Sequence, residues 1–311
     1  MLNYAVKRIG QTLPVALFVT VLIFLLIKLI PGDPAAAILG DRASDEAIRA
    51  LHTQWGLDRP LWQQYGVYMR NLVTGNLGQS LRYRTPVAEL LPHRVIVTFF
   101  LVVYSMALSV LIAVPLAIIA AVHRDRWPDQ VVRAVVTLPL ASPTFWIGIL
   151  LLIVFALQFQ WFPAAGYGDG FAGHLRALFL PALTLSNPFT AVLTRNLRSS
   201  LIDVQGMTFV DFARAKGLVS RDVLFHHVLR AALLPIITLI GVRLSYAIGG
   251  SVIIETVFAL PGLGSWMVES IVARDYMVVQ TLTLAFALGA MVINLTTDLI
   301  YPLIDPRVRM G

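Results

Sequence analysis

The chain has no cysteine among its 311 residues, so disulfides, thiolate metal sites and cysteine nucleophiles are excluded, and the redox compartment leaves no trace. Charge is also scarce. Asp, Glu, Lys and Arg make up 13% of the residues and 58% are apolar, whereas soluble domains run near ~25% and ~45–50%. With a mean hydropathy of +0.77, the composition excludes a water-soluble globule. The only lysines are Lys7, Lys28 and Lys216, preceded by Val6, Ile27 and Ala215. A phosphate-binding loop needs Gly-Lys-Ser/Thr, so the chain carries none. None of the six histidines precedes a glutamate, which removes the zinc-peptidase H-E-x-x-H pattern, and no G-x-S-x-G elbow occurs. His226 and His227 are adjacent and on a helix point ~100° apart, a poor metal pair. An intramembrane hydrolase has no nucleophile–base arrangement here to rest on. Catalysis by this chain is not expected.

What the sequence does have is long apolar runs. Ile9–Ile30 rises ~33 Å as a helix, enough for a bilayer core. It is longer than the ~7–15 residues of a signal-peptide core and reads as a retained span, with Lys28 placed to snorkel near its far end. Further runs at Val95–Val122, Val131–Gln158, Leu175–Leu197, Leu233–Phe258 and Val278–Ile304 predict six spans. Pro139 and Pro143 are expected to kink the third, and Gly249-Gly250 permits close helix contact in the fifth. The expected fold is all-α and polytopic, one transmembrane domain over residues 1–311.

A net charge of +7 and a pI near 10.0 fit the basic excess of cytosolic span ends, not nucleic-acid binding. Lys7, Arg8, Arg124, Arg126, Arg133, Arg195, Arg198, Arg214, Lys216, Arg221, Arg230, Arg307 and Arg309 all fall on one side. They are more than half of the 24 basic residues. The short opposite loops hold only Arg176 and Arg274, and the long 31–94 segment crosses largely regardless of its charge. Both termini are therefore expected in the cytosol.

The outer 31–94 segment carries helix signals. Ser44-Asp45-Glu46 reads as a cap followed by dipole-favourable acids, with Ile48, Leu51 and Trp55 on one face and Gly56 as a stop. Pro60 suits a first helical position, and Leu61, Tyr65, Tyr68 and Leu72 form a second stripe ended by Gly75. Thr85-Pro86 starts a third short helix. These stripes either pack on the membrane domain or form a docking surface for an external partner.

Residues 198–232 form a cytosolic segment too polar for a mere turn. Thr208-x-x-Asp211 predicts a capping box opening a helix over Phe209–Lys216. Gly217 stands where a left-handed, helix-ending residue belongs, and Ser220 predicts a cap for a second helix running towards Pro235. The segment mixes Phe209, Phe212, Leu218, Val223 and Leu224 with basic residues. An amphipathic pair lying on lipid is one reading; a docking element for a cytosolic protein is favoured, because it gives the exposed apolar surface a use.

The run DFARAKGLVSRDVLFHHVLRAALLP (Asp211–Pro235) resembles the cytoplasmic loop of ABC-importer permeases, whose signature is E-A-A-x-x-x-G followed by I-x-L-P. Asp211 stands at the family glutamate, Phe212 and Ala213 at the two alanines, and Gly217 at the glycine. The departures are Asp for Glu, Phe for Ala and a later proline. The A-R-A-K-G-L spelling resembles the dipeptide/oligopeptide/nickel permease branch, of the DppB/OppB type. The likeness continues in LIKLIPGDP (Leu26–Pro34), GLDRPLWQQY (Gly56–Tyr65), GNLGQS (Gly75–Ser80), TPV (Thr85–Val87), ETVFALPGLG (Glu255–Gly264), ARDYMVVQ (Ala273–Gln280) and DLIYPLIDPRVR (Asp298–Arg309). Their order and spacing together make the match specific.

The resemblance implies the type I ABC-importer permease fold in a bacterial cytoplasmic (inner) membrane. It implies a second homologous permease subunit, two cytosolic ATPases and an extracytoplasmic substrate-binding protein as partners, besides membrane lipid. ATP and Mg would be used by the ATPases, with no cofactor on this chain. The implied cargo is di- or oligopeptides. ATPase coupling would fall to Asp211, Phe212, Ala213, Arg214, Ala215, Lys216, Gly217, Leu218, Ser220 and Arg221. Ionisable residues inside a membrane are costly and are suspects for the translocation path; here they are Arg243, Glu255 and Asp298. Arg243 either lines the path or pairs across a subunit interface. Glu255 is expected near the outer surface as a cap or an ion-pair partner, and Asp298 either pairs with Arg243 or snorkels. A secondary transporter working alone would need buried acids for ion coupling and an internal repeat; the acids are few and no repeat is evident.

Overall fold

The computed structural model describes residues 2–29 and 44–304. Positions 30–34 of the LIKLIPGDP motif and the tail from 305, with Arg307 and Arg309, lie outside them, as do the side chains of Lys28, Ile48, Leu51 and Trp55. The described residues are helical apart from loops and one isolated bridge, Gln79 with Pro86. Among the described residues, five helices carry windows long and apolar enough to cross a bilayer. They are α1 (Leu2–Leu29), α4 (Val87–Val122), α7 (Gly170–Gln205), α10 (Leu229–Val257) and α12 (Tyr276–Ile304).

The expected third span is not one helix. α5 (Trp127–Thr137) runs through a 3₁₀ turn at Leu138–Ala141, breaks, and restarts as α6 (Thr144–Leu151), with 104° between the two halves. Pro143 stands at the restart and Pro139 in the turn. Each removes an N–H and disfavours the helical conformation of the residue before it. The prolines therefore break the span where a kink was expected. Counted as one crossing, the bent pair is the sixth span.

α4 and α7 are the central pair. Ala113, Ala117, Ala120 and Ala121 of α4 and Ala191 of α7 are buried, with Ser105, Ser109, Thr184, Thr190 and Thr194 beside them. Small residues let helix backbones approach closely where both sides are apolar, and Thr190 donates to Ser109 across the seam at 3.3 Å. By contrast α1 and α12 are peripheral, with most of their apolar windows unburied. Gly241 of α10 fits directly against Thr297 of α12, and a Cβ there would collide with that side chain. The expected close contact at Gly249-Gly250 is weaker: nothing lies within 4 Å of a Cβ on Gly249, and only Leu185 approaches Gly250.

The bundle has two ends. One carries the start of α1, the α4–α5 turn and the segment joining α7 to α10; the basic clusters sit there. The opposite end carries α2 (Asp45–Trp55), α3 (Leu61–Val73) and α11 (Leu263–Val272). Gly56 and Gly75 end α2 and α3 with φ of 65° and 74°. Thr85-Pro86 does not open a separate short helix. It opens α4 itself, which runs unbroken for 36 residues into the second span.

Candidate functional site

At the basic end, α7 stops at Gln205 and the chain turns through Gly206 into α8 (Thr208–Ala215). Its lower face, Val210 and Ala213, is buried among Ala117, Ala121, Leu201, Val204 and Val223. Its upper face is bare, with Phe209 and Phe212 exposed, Phe212 to 68%. Gly217 follows with φ 81°. Around it Lys216, Gly217 and Leu218 donate their N–H groups back to Phe212, Arg214 and Ala213 at 3.1, 2.9 and 3.4 Å, the satisfaction of helix-end carbonyls that a left-handed residue permits. After Gly217, Leu218 and Val219 extend the exposed apolar surface, and Lys216, Ser220 and Arg221 are exposed beside it. α9 (Ser220–Asp222) then passes through a wider π-helical turn, Val223–Val228, into α10.

Two expected caps are not made. α8 starts after Met207, with no side-chain cap, so Thr208 and Asp211 form no capping box. Val210 bonds the Met207 carbonyl at 2.9 Å instead. Asp211 faces Arg214 at 3.9 Å, both exposed. Ser220 is likewise the first helical residue and not the cap, which is Val219. The helix–glycine–helix outline holds because burial of Val210, Ala213 and Val223 fixes it, not because hydroxyls start the helices. His226 stands 4.0 Å from Asp222, and among the described residues no group of His, Asp and Glu could hold a metal ion.

Beneath this elbow a buried carboxylate ties the α4–α5 turn to α7. Arg198 donates its Nε and Nη2 to the Oδ1 and Oδ2 of Asp129 at 2.7 and 2.6 Å. The Asp125 backbone N–H adds 3.0 Å and Arg133 approaches to 3.4 Å. A forked guanidinium meeting a carboxylate in two parallel bonds fixes orientation as well as distance. The partners are 69 residues apart, so local spacing carries no signal for them; Trp-Pro-Asp at the start of α5 marks only a helix opening.

The opposite end is tied by two more buried carboxylates. Glu255 Oε1 accepts from Thr98 at 2.8 Å, and Oε2 accepts from the N–H groups of Gly264 and Ser265 at 2.6 and 3.2 Å. Thr98 in turn accepts from Leu263 N–H at 2.9 Å. Glu255 therefore satisfies the first N–H groups of α11 from α10, with Gly262 at the cap position; the sequence alone did not mark this helix. Asp275 Oδ2 accepts from Ser80 Oγ and Leu81 N–H at 2.6 and 2.9 Å, strapping the α3–α4 loop to the α11–α12 turn. Nearby Arg94 lies 4.6 Å over the Trp266 ring, and Arg82 reaches Glu269 at 3.5 Å. These two arginines help line a cavity of about 710 Å³.

Of the other ionisable residues, Asp298 pairs with Arg8 at 3.1 Å, joining the ends of α12 and α1. It does not pair with Arg243. Arg243 is half-buried on α10, one residue from Val242 and three from Tyr246, which are exposed.

The family described as binding-protein-dependent transport system inner membrane component matches residues 113–310, and its N-terminal counterpart matches residues 1–102. The glutathione transport system permease protein GsiC of Escherichia coli is 38% identical over 309 residues, covering 99% of each chain. GsiC of Shigella dysenteriae matches to the same extent. Among solved structures, the MetNI methionine ABC transporter in an inward-facing form superposes with a TM-score of 0.59 at 16% identity, covering 69% of this chain and 96% of that one. That likeness is one of fold.

Proposed function

The chain belongs to the family of inner-membrane components of binding-protein-dependent transport systems, and from that premise we propose that it imports short peptides through a path on its α7–α10 face. It is a translocation component and not a catalyst, and works with an ATPase and a substrate-binding protein. The observation that carries the peptide reading is the end-to-end likeness to a glutathione permease, glutathione being a tripeptide. Di- and oligopeptides of similar size define the class.

In this proposal both termini and the 198–232 segment face the cytosol, and the 31–94 segment faces outward. Two ATPases, using ATP and Mg, hold α8 and Gly217 in a groove. Exposed Phe212, Leu218 and Val219 supply apolar contact, and Arg214, Lys216 and Arg221 surround it with positive charge. Asp211, Ala213, Ala215 and Ser220 complete the element. ATPase closure then biases the permease between inward- and outward-facing arrangements by binding one more tightly. A second, homologous permease subunit closes the path. On this chain the path runs along the exposed stripe Val242, Tyr246, Gly249 and Ile253, flanked by Arg243. It opens at the basic end into a cavity of about 510 Å³ lined by Asn196, Ser199 and Asp203. Glu255 and Asp298, occupied by the bonds above, support the walls.

The test is a pull-down of the ATPases beside peptide uptake, normalised to permease abundance, for native and Gly217→Val chains. The variant is expected to keep abundance and lose both ATPase capture and uptake. Full binding and full uptake in the variant would return the segment to the lipid-surface reading. Orientation is checked separately with the cysteine-free chain: an impermeant thiol reagent should label Thr74→Cys from outside and miss Val219→Cys.

A further inference from the structure

α3 takes no part in the transport reading. At ~100° per residue, Leu61, Tyr65, Tyr68 and Leu72 form one stripe and Trp62, Gly66, Met69 and Val73 the stripe beside it. Gln63, Gln64, Arg70 and Asn71 make up the remaining arc, with Val67 as the one apolar residue among them. The first stripe docks on α1 through its two tyrosines: the Tyr65 hydroxyl is 2.8 Å from Thr20 Oγ1, and the Tyr65 and Tyr68 rings lie 5.6 and 6.0 Å from Phe24, while Leu61 stays 55% exposed. The second stripe is bare at both ends, with Trp62 72% and Val73 82% exposed, while Met69 between them is half-buried.

Depth identifies what covers it. Thr20 and Phe24 fall inside the apolar window Arg8–Leu26 of α1. At 1.5 Å per residue, Thr20 is about 9 Å short of that window's end. A helix bonded to Thr20 therefore lies beside the hydrocarbon-facing part of α1 and not above it. There α1 presents Leu17, Phe18, Val21, Leu22 and Leu25 to its surroundings, so the bare stripe of α3 continues a lipid-facing surface. We infer that α3 is an interfacial helix, with Trp62, Met69 and Val73 in the acyl chains just below the headgroups and Gln63, Arg70 and Asn71 turned towards water. An apolar sector beside a polar face is what holds a helix in that plane. An indole with an apolar ring and a polar N–H suits the boundary. The partner is lipid. The inference rests on the span assignment for α1; which leaflet is meant rests on the proposed orientation.

Nitroxide labels on the cysteine-free chain test it in the assembled transporter in liposomes. Oxygen, concentrated in lipid, is expected to relax labels at Trp62→Cys and Val73→Cys severalfold more than a water-soluble nickel chelate does. The order should reverse at Gln63→Cys and Arg70→Cys. Better access for the chelate at 62 and 73 overturns the inference in favour of an aqueous docking surface. Access for neither reagent overturns it in favour of a covering protein subunit. Quenching by brominated lipids reads the same contact without cysteine. A quenchable signal lost in Trp62→Phe supports lipid contact, and equal quenching in both proteins contradicts it. Neither readout depends on orientation, which the Thr74→Cys labelling reports by itself.

Discussion

At the end of the bundle that holds α11, Glu255 and Asp275 gather backbone N–H groups and hydroxyls from segments far apart in the chain. At the other end α8 sits on Val210 and Ala213 in an apolar seat, and Gly217 faces open space. The glycines tell the same story. A Cβ on Gly262 would run into the Glu255 carboxylate and one on Gly264 into the Val252 backbone, whereas a Cβ on Gly217 meets nothing within 4 Å. Bonds that share one buried acceptor are lost together, so the first end is fixed. The amphipathic helix at the second end is seated by a few small side chains with its phenylalanines outward, and in the proposal above a partner grips and moves it there.

Removing acceptors from the fixed end should have the largest effect on stability. Glu255→Ala orphans the buried N–H groups of Gly264 and Ser265 and the Thr98 hydroxyl. At about 1–3 kcal/mol for each buried unsatisfied group, thermal unfolding in detergent is expected to show heavy destabilisation and membrane abundance to fall. Native-like melting would erase the contrast between the ends. Next comes Asp129→Ala, which strands Arg198 beneath the elbow. Loss of one partner of a buried pair costs about 3–5 kcal/mol, and partial exposure of Arg198 places this case near the lower figure. The same melting assay checks it, and Arg198→Ala should match it in direction.

Gly217→Val sits lower on the stability scale and higher on the functional one. With no collision to relieve, its cost is the left-handed backbone, about 1–2 kcal/mol for a non-glycine residue and more when β-branched. Melting is expected to move little while uptake is lost. A large loss of abundance would instead make the bend a folding element. Smallest is Asp211→Ala: with no cap to remove and only an exposed 3.9 Å ion pair, it should cost below about 0.5 kcal/mol and leave uptake near native. A strong uptake defect there would show that Asp211 contacts the ATPase directly.

The helices and the elbow were legible because they rest on apolar runs, on proline and glycine, and on spacing within a few residues. Gly217 is where its neighbours said it would be. The caps were misread because a Thr or Ser near a helix start matches a pattern whether or not its hydroxyl reaches the backbone; at Thr208 and Ser220 the helix begins one residue too early for that. The 104° break was underestimated, since two prolines four residues apart announce a defect but not its angle. Of the carboxylate hubs, a capping role for Glu255 was legible, but the partners of Glu255 and Asp275 were not. Glu255 bonds Thr98 across 157 residues and Asp275 bonds Ser80 across 195, and no local periodicity encodes such pairings. The bare flank of α3 was overlooked beside the tyrosine stripe, because amphipathicity shows that a face is apolar without showing how much of it the protein itself covers.

The most direct test of the account is a photo-reactive benzoylphenylalanine at Phe212, at the centre of the exposed elbow, irradiated in membranes that contain the complete transporter. The account predicts an adduct of the permease with an ATPase subunit, identified by mass, and its loss when Gly217→Val is added. Adducts with lipid alone, or none with the ATPase from an assembled complex, would contradict it.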